Sequence, residues 1–454
     1  MNLTQASRLE LKDLDWFIDL SGLVGFKQYG LSSIRARQDE ALTERLRQQA
    51  LERISDPKQI EVTDDNYFLG SVDYMVRQTE NGELGYTILE TNGGSSRGLT
   101  LLAPGDVERL MTAFVEMLRF VDHESPLIVI GHPDGDVLLT EKFLIAHRLK
   151  EALEARGSGR RVRILPIRSF GQHSRTEDPL IVISPHSQSA LALRAQNDEV
   201  YLLDRRVQAI IGDGVVARHH ELGRRRTDVV LANWIFPITS DKYNTYQAVE
   251  SARPSLEPHG VCPLVFWRAW DRQDLERICE AKRSELDGLI IKPYGGSGGA
   301  GVLPVTEDTS VGEAVEESLN EFHTKYGDRI DPFPYTVCEK LRPWKATWRG
   351  QPHNFDIRIY VARERDNLAP AGCLFRIAPK PDTGTYSKDS LIVNLSGYGG
   401  LAVERGLGLT KESLEMVHLT EEDIVRIFAA STLLMAAIAQ QPFDWSQRAR
   451  PAVP

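Results

Sequence analysis

Three short stretches of this chain bring together side chains suited to chemistry on phosphate. In ILETNGG, Glu90 and Asn92 set a carboxylate and a carboxamide at the end of an apolar run, an all-oxygen pair that suits a hard metal ion. In LIIKPYGGSGGAG, Lys292 precedes five glycines among the seven residues 295–301, with Gly295, Gly296, Ser297, Gly298 and Gly299 leading the loop. Glycines let a backbone approach a polyphosphate closely and turn several N–H groups toward it. The loop joins two strand-like runs rather than opening a helix, so it is neither a P-loop nor a dinucleotide fingerprint. It reads as a flap over ATP, or as a flexible hairpin tip. In FDIRIYV, Asp356 and Arg358 stand two residues apart, on one face of a strand, with Arg376 in CLFRIAP and Asn394 in LIVNLSG on later strands. Such arginines can stabilise the charge of a γ-phosphate or an acyl phosphate. The alternative is a structural Asp–Arg pair.

Further groups fit the same chemistry. Lys292, on the strand before the glycines, can reach α- and β-phosphates as a mobile point charge. Lys242, in ITSDKYNTYQAVES, lies at a helix start and can reach them too, unless it is a surface lysine. In YTVCEKL, Glu339 and the backbone of Lys340 and Leu341 end a strand where an adenine edge would need a donor and an acceptor; a plain strand end is the other reading.

The elements that must position these groups change character along the chain. Up to about residue 60 the apolar spacing is helical. FLGSVDYMVR and GYTILETN then flank QTENGEL, whose Asn81-Gly82 signals a hairpin, and VERLMTAFVEMLRFV is an amphipathic helix. From Pro126 to Asn233, apolar strands (LIVIG, RVRILP, LIVIS, VYLLD, DVVLAN) alternate with helical stretches, the rhythm of a small parallel α/β domain. The loop HPDGD follows LIVIG at a strand's carboxyl end, where such sheets bind ligands. From Ser240 onward come the lysines, the glycine loop, YTVCEKL, FDIRIYV and SLIVNLSGYGG, the last also read as a strand.

Composition sets the limits. With 454 residues, 41% hydrophobic and 26% charged, the chain reads as a soluble globular protein of several lobes. A net charge of −10, spread along the sequence, argues against nucleic acid as partner. The basic cluster Arg224-Arg225-Arg226, beside His219-His220, is a solvated loop or an anion site. Four cysteines without C-x-x-C spacing indicate neither a disulfide framework nor a zinc site and fit a reduced compartment. Arg8, Glu10 and Asp13 interrupt any signal-like apolar stretch, and AASTLLMAAIA is short for a bilayer and reads as a core helix. The expectation is a cytoplasmic protein with no membrane partner; a homodimer is compatible.

Taken in order, KPYGGSGGAG with Lys292, the EK pair, FDIRIYV and the IVN run resemble the ATP-grasp fold, the last two most like its tubulin tyrosine ligase branch. The resemblance covers residues 240 to about 400. It implies Mg2+ or Mn2+ ligands after the arginine strands, and nothing of that form follows Asn394. Asp73, Glu90 and Asn92 near the start are the candidates instead. Counting outward from Asn81-Gly82 sets Asp73 opposite Glu90, with Asn92 on the same face. Like charges so placed need a cation or a raised pKa to persist; an acidic hairpin with an NGG turn is the alternative. Asp73 takes the third ligand position because the flap lacks the glutamate that glutathione synthetases use.

The expected architecture is therefore α/β with α+β lobes: an ATP-grasp fold in circularly permuted order, as in glutathione synthetase-type enzymes and bacterial peptide ligases, with an inserted Rossmann-like pre-ATP-grasp domain. Its divisions are 1–120 (helical segment and metal hairpin), 121–238 (α/β domain), 239–405 (nucleotide lobes) and 406–454 (helical). What the resemblance implies is ATP-dependent ligation of a carboxylate, from an amino acid or small peptide, to an amine through an acyl phosphate. Arg358, Arg376 and Lys292 would be catalytic. The nucleotide would be held by Lys242, Lys292, the flap, Glu339 to Leu341, Asp356 and Asn394. Arg97 would bind a substrate carboxylate or face solvent, and the α/β domain would contribute to acceptor choice. A small-molecule kinase, loading of a carrier-protein thiol, and a non-catalytic scaffold are the competing functions.

Overall fold

A computed structural model of the chain describes residues 38–441 apart from 80, 94–97, 100–101, 134–138, 158–159, 220, 223–225, 297, 328–330, 385–386, 392, 394–395, 398–399 and 402–404. Helix α1 (Glu40–Arg53) starts at Asp39, whose carboxylate accepts the Leu42 N–H at 2.9 Å. Strands β1 (Leu69–Gln78) and β2 (Leu84–Asn92) make a hairpin, and α2 (Pro104–Glu116) follows. A parallel sheet comes next: β3 (Leu127–His132), α3 (Leu139–Arg156), β4 (Arg163–Pro166), β5 (Leu180–Pro185), β6 (Ala209–Ile211) and β7 (Val230–Ala232). Helix α4 (Lys242–Ser251) leads to β8 (Phe266–Ala269), β9 (Leu289–Lys292), β10 (Leu303–Val305), α5 (Val311–Tyr326) and β11 (Tyr335–Glu339). Strands β12 (Gln351–Glu364), β13 (Asn367–Ile377) and β14 (Gly406–Gly408) precede α6 (Glu421–Gln440).

The hairpin near the start of the chain and the long strands near its end share one antiparallel sheet, in the order β2-β1-β12-β13-β14. Alternation in FDIRIYV explains why this sheet is both core and site. Phe355, Ile357, Ile359 and Val361 point to one face, where they pack with Val72, Tyr74 and Ile88 against α6 and α1. Helix α6 is apolar nearly all round, as expected of a helix buried on all sides. No described helix is long and apolar enough to cross a membrane. On the opposite face the character changes along β12. Tyr360 and Ala362 pack in a second core with Leu110 and Phe114 of α2, whereas Asp356 and Arg358 carry charge.

The parallel sheet has the order β7-β6-β3-β5-β4. The chain leaves β3 in one direction and returns past it between β5 and β6, so β3 is the switch point, and ligand crevices form at carboxyl ends there. One expectation is corrected: VYLLD is not a strand of this sheet. Glu199–Leu202 belongs to a separate three-stranded antiparallel sheet, and the parallel strand is Ala209–Ile211, too short to stand out as a period.

The four-stranded antiparallel sheet β8-β11-β9-β10 carries the glycine loop between β9 and β10, as expected. Helix α5 and the helix Arg272–Lys282 contribute to its core. SLIVNLSG is a strand only in part: Lys388–Leu391 is a short helix, Ser396–Gly397 is a strand paired with Gly400–Leu401, and Asn394 lies outside the described residues. Strand β14, meanwhile, extends the main sheet from a segment expected to be helical.

Candidate nucleotide and metal site

The site is built from the charged face of the main sheet. The hairpin ladder begins with Gln78 opposite Leu84, one residue out of step with a count from Asn81-Gly82. A bulge between the Tyr74–Ile88 and Asp73–Glu90 pairs leaves Leu89 as the extra residue, and the step is restored. Asp73 therefore faces Glu90 on one side and Arg358 on the other. The expected pair is the observed one, reached through a bulge that a simple count does not contain.

Across this face runs a network of two carboxylates and two guanidiniums. Arg358 donates from Nε to Asp73 Oδ1 and from Nη2 to Oδ2, both at 2.7 Å. Arg376 donates to Asp73 Oδ2 and, through Nε, to Asp356 Oδ1, each at 2.7 Å, and also bonds Asp356 Oδ2. Asp356 thus pairs with Arg376, its partner across the ladder, and not with Arg358 on its own strand. Asp73 and Asp356 are 1% and 4% exposed, so neither charge would persist there without its partners. Burial pushes the Asp73 carboxyl up, but Arg358 and Arg376 outweigh it and hold it well below the usual carboxylate range. For Asp356 burial prevails over Arg376, and with the Asp73 charge beside it the carboxyl is raised.

The two lysines arrive from other lobes. Asp241 accepts the Tyr243 N–H at 2.9 Å and so caps α4, which puts Lys242 at the first helical position, with Nζ 3.3 Å from Glu90 Oε2. Arg268 of β8 locks this helix end by donating to Asp241 and to Asn244 Oδ1. Lys292 ends β9; it is 9% exposed and donates to the Tyr246 hydroxyl at 2.7 Å. Tyr246 in turn donates to the Leu89 carbonyl at 2.9 Å. The bulged residue next to Glu90 is thereby tied to Lys292. Thr91 and Thr245 add a hydroxyl pair at 2.9 Å between β2 and α4. Tyr246 was not singled out from the sequence, although its i+4 spacing from Lys242 puts both on one helix face.

At the flap, Gly295, Gly298 and Gly299 have positive φ, the region that favours glycine, and Ser297 lies outside the described residues. The flap's far root is fixed by Gly301, whose N–H goes to Glu321 at 2.9 Å and whose carbonyl accepts from Ser318 at 2.5 Å. A Cβ there would meet the Ser318 carbonyl oxygen at 2.9 Å. In the hinge, Glu339 accepts the Val265 N–H at 3.1 Å, and the Lys340 N–H is given to the Gly288 carbonyl. Arg97, Arg224 and Arg225 lie outside the described residues.

These side chains fit a magnesium ion in a particular way. Asp73, expected as a ligand, spends both oxygens on arginines, so the candidate ligands that remain are Asn92 and Glu90, the latter paired with Lys242. Glu90 is half-buried, and the Asn92 amide nitrogen is buried with no hydrogen-bond partner. Among the described residues no group of three or more His, Cys, Asp and Glu could hold a metal. A site of one carboxylate and one carboxamide suits Mg2+ that completes its shell with phosphate oxygens and water, and does not suit zinc.

No protein family and no curated protein matches the chain. Among solved structures, it resembles a glutathione synthetase-like effector from Globodera pallida in its apo form. There, 14% of residues are identical over 78% of this chain and 82% of that one, with a TM-score of 0.39. It also resembles D-alanyl-alanine synthetase A from Vibrio cholerae, with 10% identity over 65% of this chain and 79% of that one and a TM-score of 0.34.

Proposed function

We propose that this chain is an ATP-dependent ligase that joins a carboxylate to an amine through an acyl phosphate, releasing ADP and phosphate, on a permuted ATP-grasp fold with an inserted α/β domain. One observation carries the reading: Glu90 on the hairpin, Arg358 on β12 and Lys242 on α4 converge, with Lys292 joined to the same strand end through Tyr246. Four groups from four separated stretches of chain, two of them lysines, make a site for a polyphosphate and its metal rather than a structural ion pair.

In this reading Lys242 and Lys292 bind the phosphates, and the glycine flap closes over them. Glu339 and the backbone of Lys340 and Leu341 meet the adenine, with Leu341 as donor because the Lys340 N–H is already used. Glu90 and Asn92 hold Mg2+, which when bound neutralises phosphate charge. The substrate carboxylate attacks the γ-phosphate in line. Arg358, 3.8 Å from Glu90 and aligned by Asp73, is the guanidinium assigned to stabilise the transferred group. Arg376, wedged between two carboxylates, holds Asp73 and Asp356 in register and is given the lesser part. The amine then displaces phosphate, and exclusion of water by the flap keeps the acyl phosphate for it. The α/β domain contributes to acceptor choice. What supports this is its contact with the end of the hairpin, where Gly93 packs against Ile235 and the Gly98 N–H bonds Glu141 at 3.3 Å.

The test is ADP release from purified protein against an array of paired amino acids. The proposal requires turnover that needs both an acid and an amine; full turnover with a single co-substrate would point to a kinase.

A further inference from the structure

We propose that Asn233 is a positioning residue that holds the metal-bearing end of the hairpin in place, an inference that rests on the ligase reading above. Asn233 directly follows β7, the edge strand of the α/β sheet, and is 1% exposed. Its side-chain oxygen accepts the N–H groups of Phe68 at 2.6 Å and Leu69 at 3.4 Å. Its side-chain nitrogen donates to the carbonyls of Leu69 and Gly93, both at 2.6 Å. Among side chains only a carboxamide offers two donors and two acceptor lone pairs in one plane, and all four are used.

What the amide touches matters more than how many bonds it makes. The β1–β2 ladder ends at the pair Ser71–Asn92. Beyond it β2 departs, and β1 would face an empty position at Leu69. Asn233 fills that position and reaches Gly93, the residue next to the candidate ligand Asn92, so both strands are gripped where their ladder stops. The next backbone amide, Trp234 N–H, bonds the Asn66 carbonyl at 3.0 Å. From there the chain runs through the short helix Phe236–Thr239 into α4 and Lys242. One residue thus sets the end of the metal strand and anchors the path to the lysine that faces it. Groups that orient metal ligands without touching the ion commonly change affinity about 10- to 100-fold when lost.

The experiment measures Mn2+ binding by electron paramagnetic resonance of the full chain with a non-hydrolysable ATP analogue. Wild type is compared with Asn233→Asp, Asn233→Ser, Glu90→Gln and Tyr74→Phe. Asn233→Asp keeps the shape but turns a carboxylate oxygen on two carbonyls; Asn233→Ser serves if the aspartate variant does not fold. Tyr74→Phe removes a buried 2.9 Å hydrogen bond to Ser431 from the opposite face of the same strand, and so reports a purely structural loss. The expected result is Mn2+ affinity lowered about 10- to 100-fold in the Asn233 variants, with metal-free nucleotide binding retained and Tyr74→Phe at wild-type affinity. Asn233 variants that bind Mn2+ as tightly as wild type, while Glu90→Gln does not, overturn the role of Asn233 alone. Wild type that shows no nucleotide-dependent Mn2+ binding, or Glu90→Gln that binds as well as wild type, overturns the ligase reading and this inference with it.

Discussion

Asp73→Asn is the sharpest perturbation of the charge network. In the wild type, two buried carboxylates balance a buried guanidinium, Arg376, and a partly buried one, Arg358, and Asp73 alone accepts three hydrogen bonds at 2.7 Å from both arginines. The amide keeps the volume but removes one charge and turns donor groups toward donor groups, which leaves one guanidinium uncompensated. Breaking a buried pair in this way destabilises by roughly 3–5 kcal/mol. Arg358 has one escape, toward Glu90 at 3.8 Å, and that relief sets the lower end of the range as the expectation. The dependence on pH follows from the depressed carboxyl. Stability from Asp73 is present above the unfolded value of 3.8 and is lost as pH falls through the lower folded value. The Asp73 contribution to the gap should persist down to about pH 5 and fall only below the unfolded value, while relief of the raised Asp356 carboxyl in the variant makes the gap smaller at pH 8 than at pH 5. Urea unfolding followed by tryptophan fluorescence at pH 8, 5 and 3 measures it. A gap under about 1 kcal/mol at pH 8, in the range of an exposed ion pair, would refute the network as drawn.

Other perturbations give equally definite expectations. Asp106 in α2 is fully buried, and burial, aided by Glu40 and Glu44, pushes its carboxyl up to about 7 from 3.8 against the pull of Arg109. The folded protein then pays for ionising it as pH rises from 3.8 toward 7. Asp106→Asn should be neutral at pH 4 and stabilising at pH 8, by at most about 4 kcal/mol, in the same unfolding assay; destabilisation at pH 8 would contradict the assignment. Tyr246→Phe removes a bond to the Lys292 ammonium and another to the Leu89 carbonyl. Calorimetric titration with an ATP analogue should show affinity lowered roughly 10- to 100-fold, since bonds to charged groups contribute about 1.5–3 kcal/mol, and an unchanged affinity would free Tyr246 of that role.

How far the sequence predicted this arrangement depends on the range of the interaction. Period-2 alternation in FDIRIYV located a strand with charge on one face, and ITSDKYNTYQAVES placed Lys242 at a helix start, because both signals are local. The opposition of Asp73 and Glu90 was legible from the turn, although the Leu89 bulge was not. Which arginine each aspartate chooses was not legible, since it depends on the ladder partner, Arg376 for Asp356, and not on strand spacing. Asn233 also escaped notice. A polar residue closing the apolar run DVVLAN is a faint signal, comparable to Glu90-Thr91-Asn92 closing its own run, and its meaning appears only when Leu69 and Gly93 are brought beside it. VYLLD shows the reverse case, a strand legible from its own residues whose tertiary surroundings decide which sheet it joins.

The central claim is that a carboxylate is activated as an acyl phosphate before an amine displaces it. With an acid and amine pair that supports ADP release, the acid is supplied with 18O in its carboxyl group and the phosphate released is examined by mass spectrometry. One 18O atom transferred to phosphate for each bond formed, abolished in Glu90→Gln, is the predicted result. ADP and product formed with no label in the phosphate would contradict it.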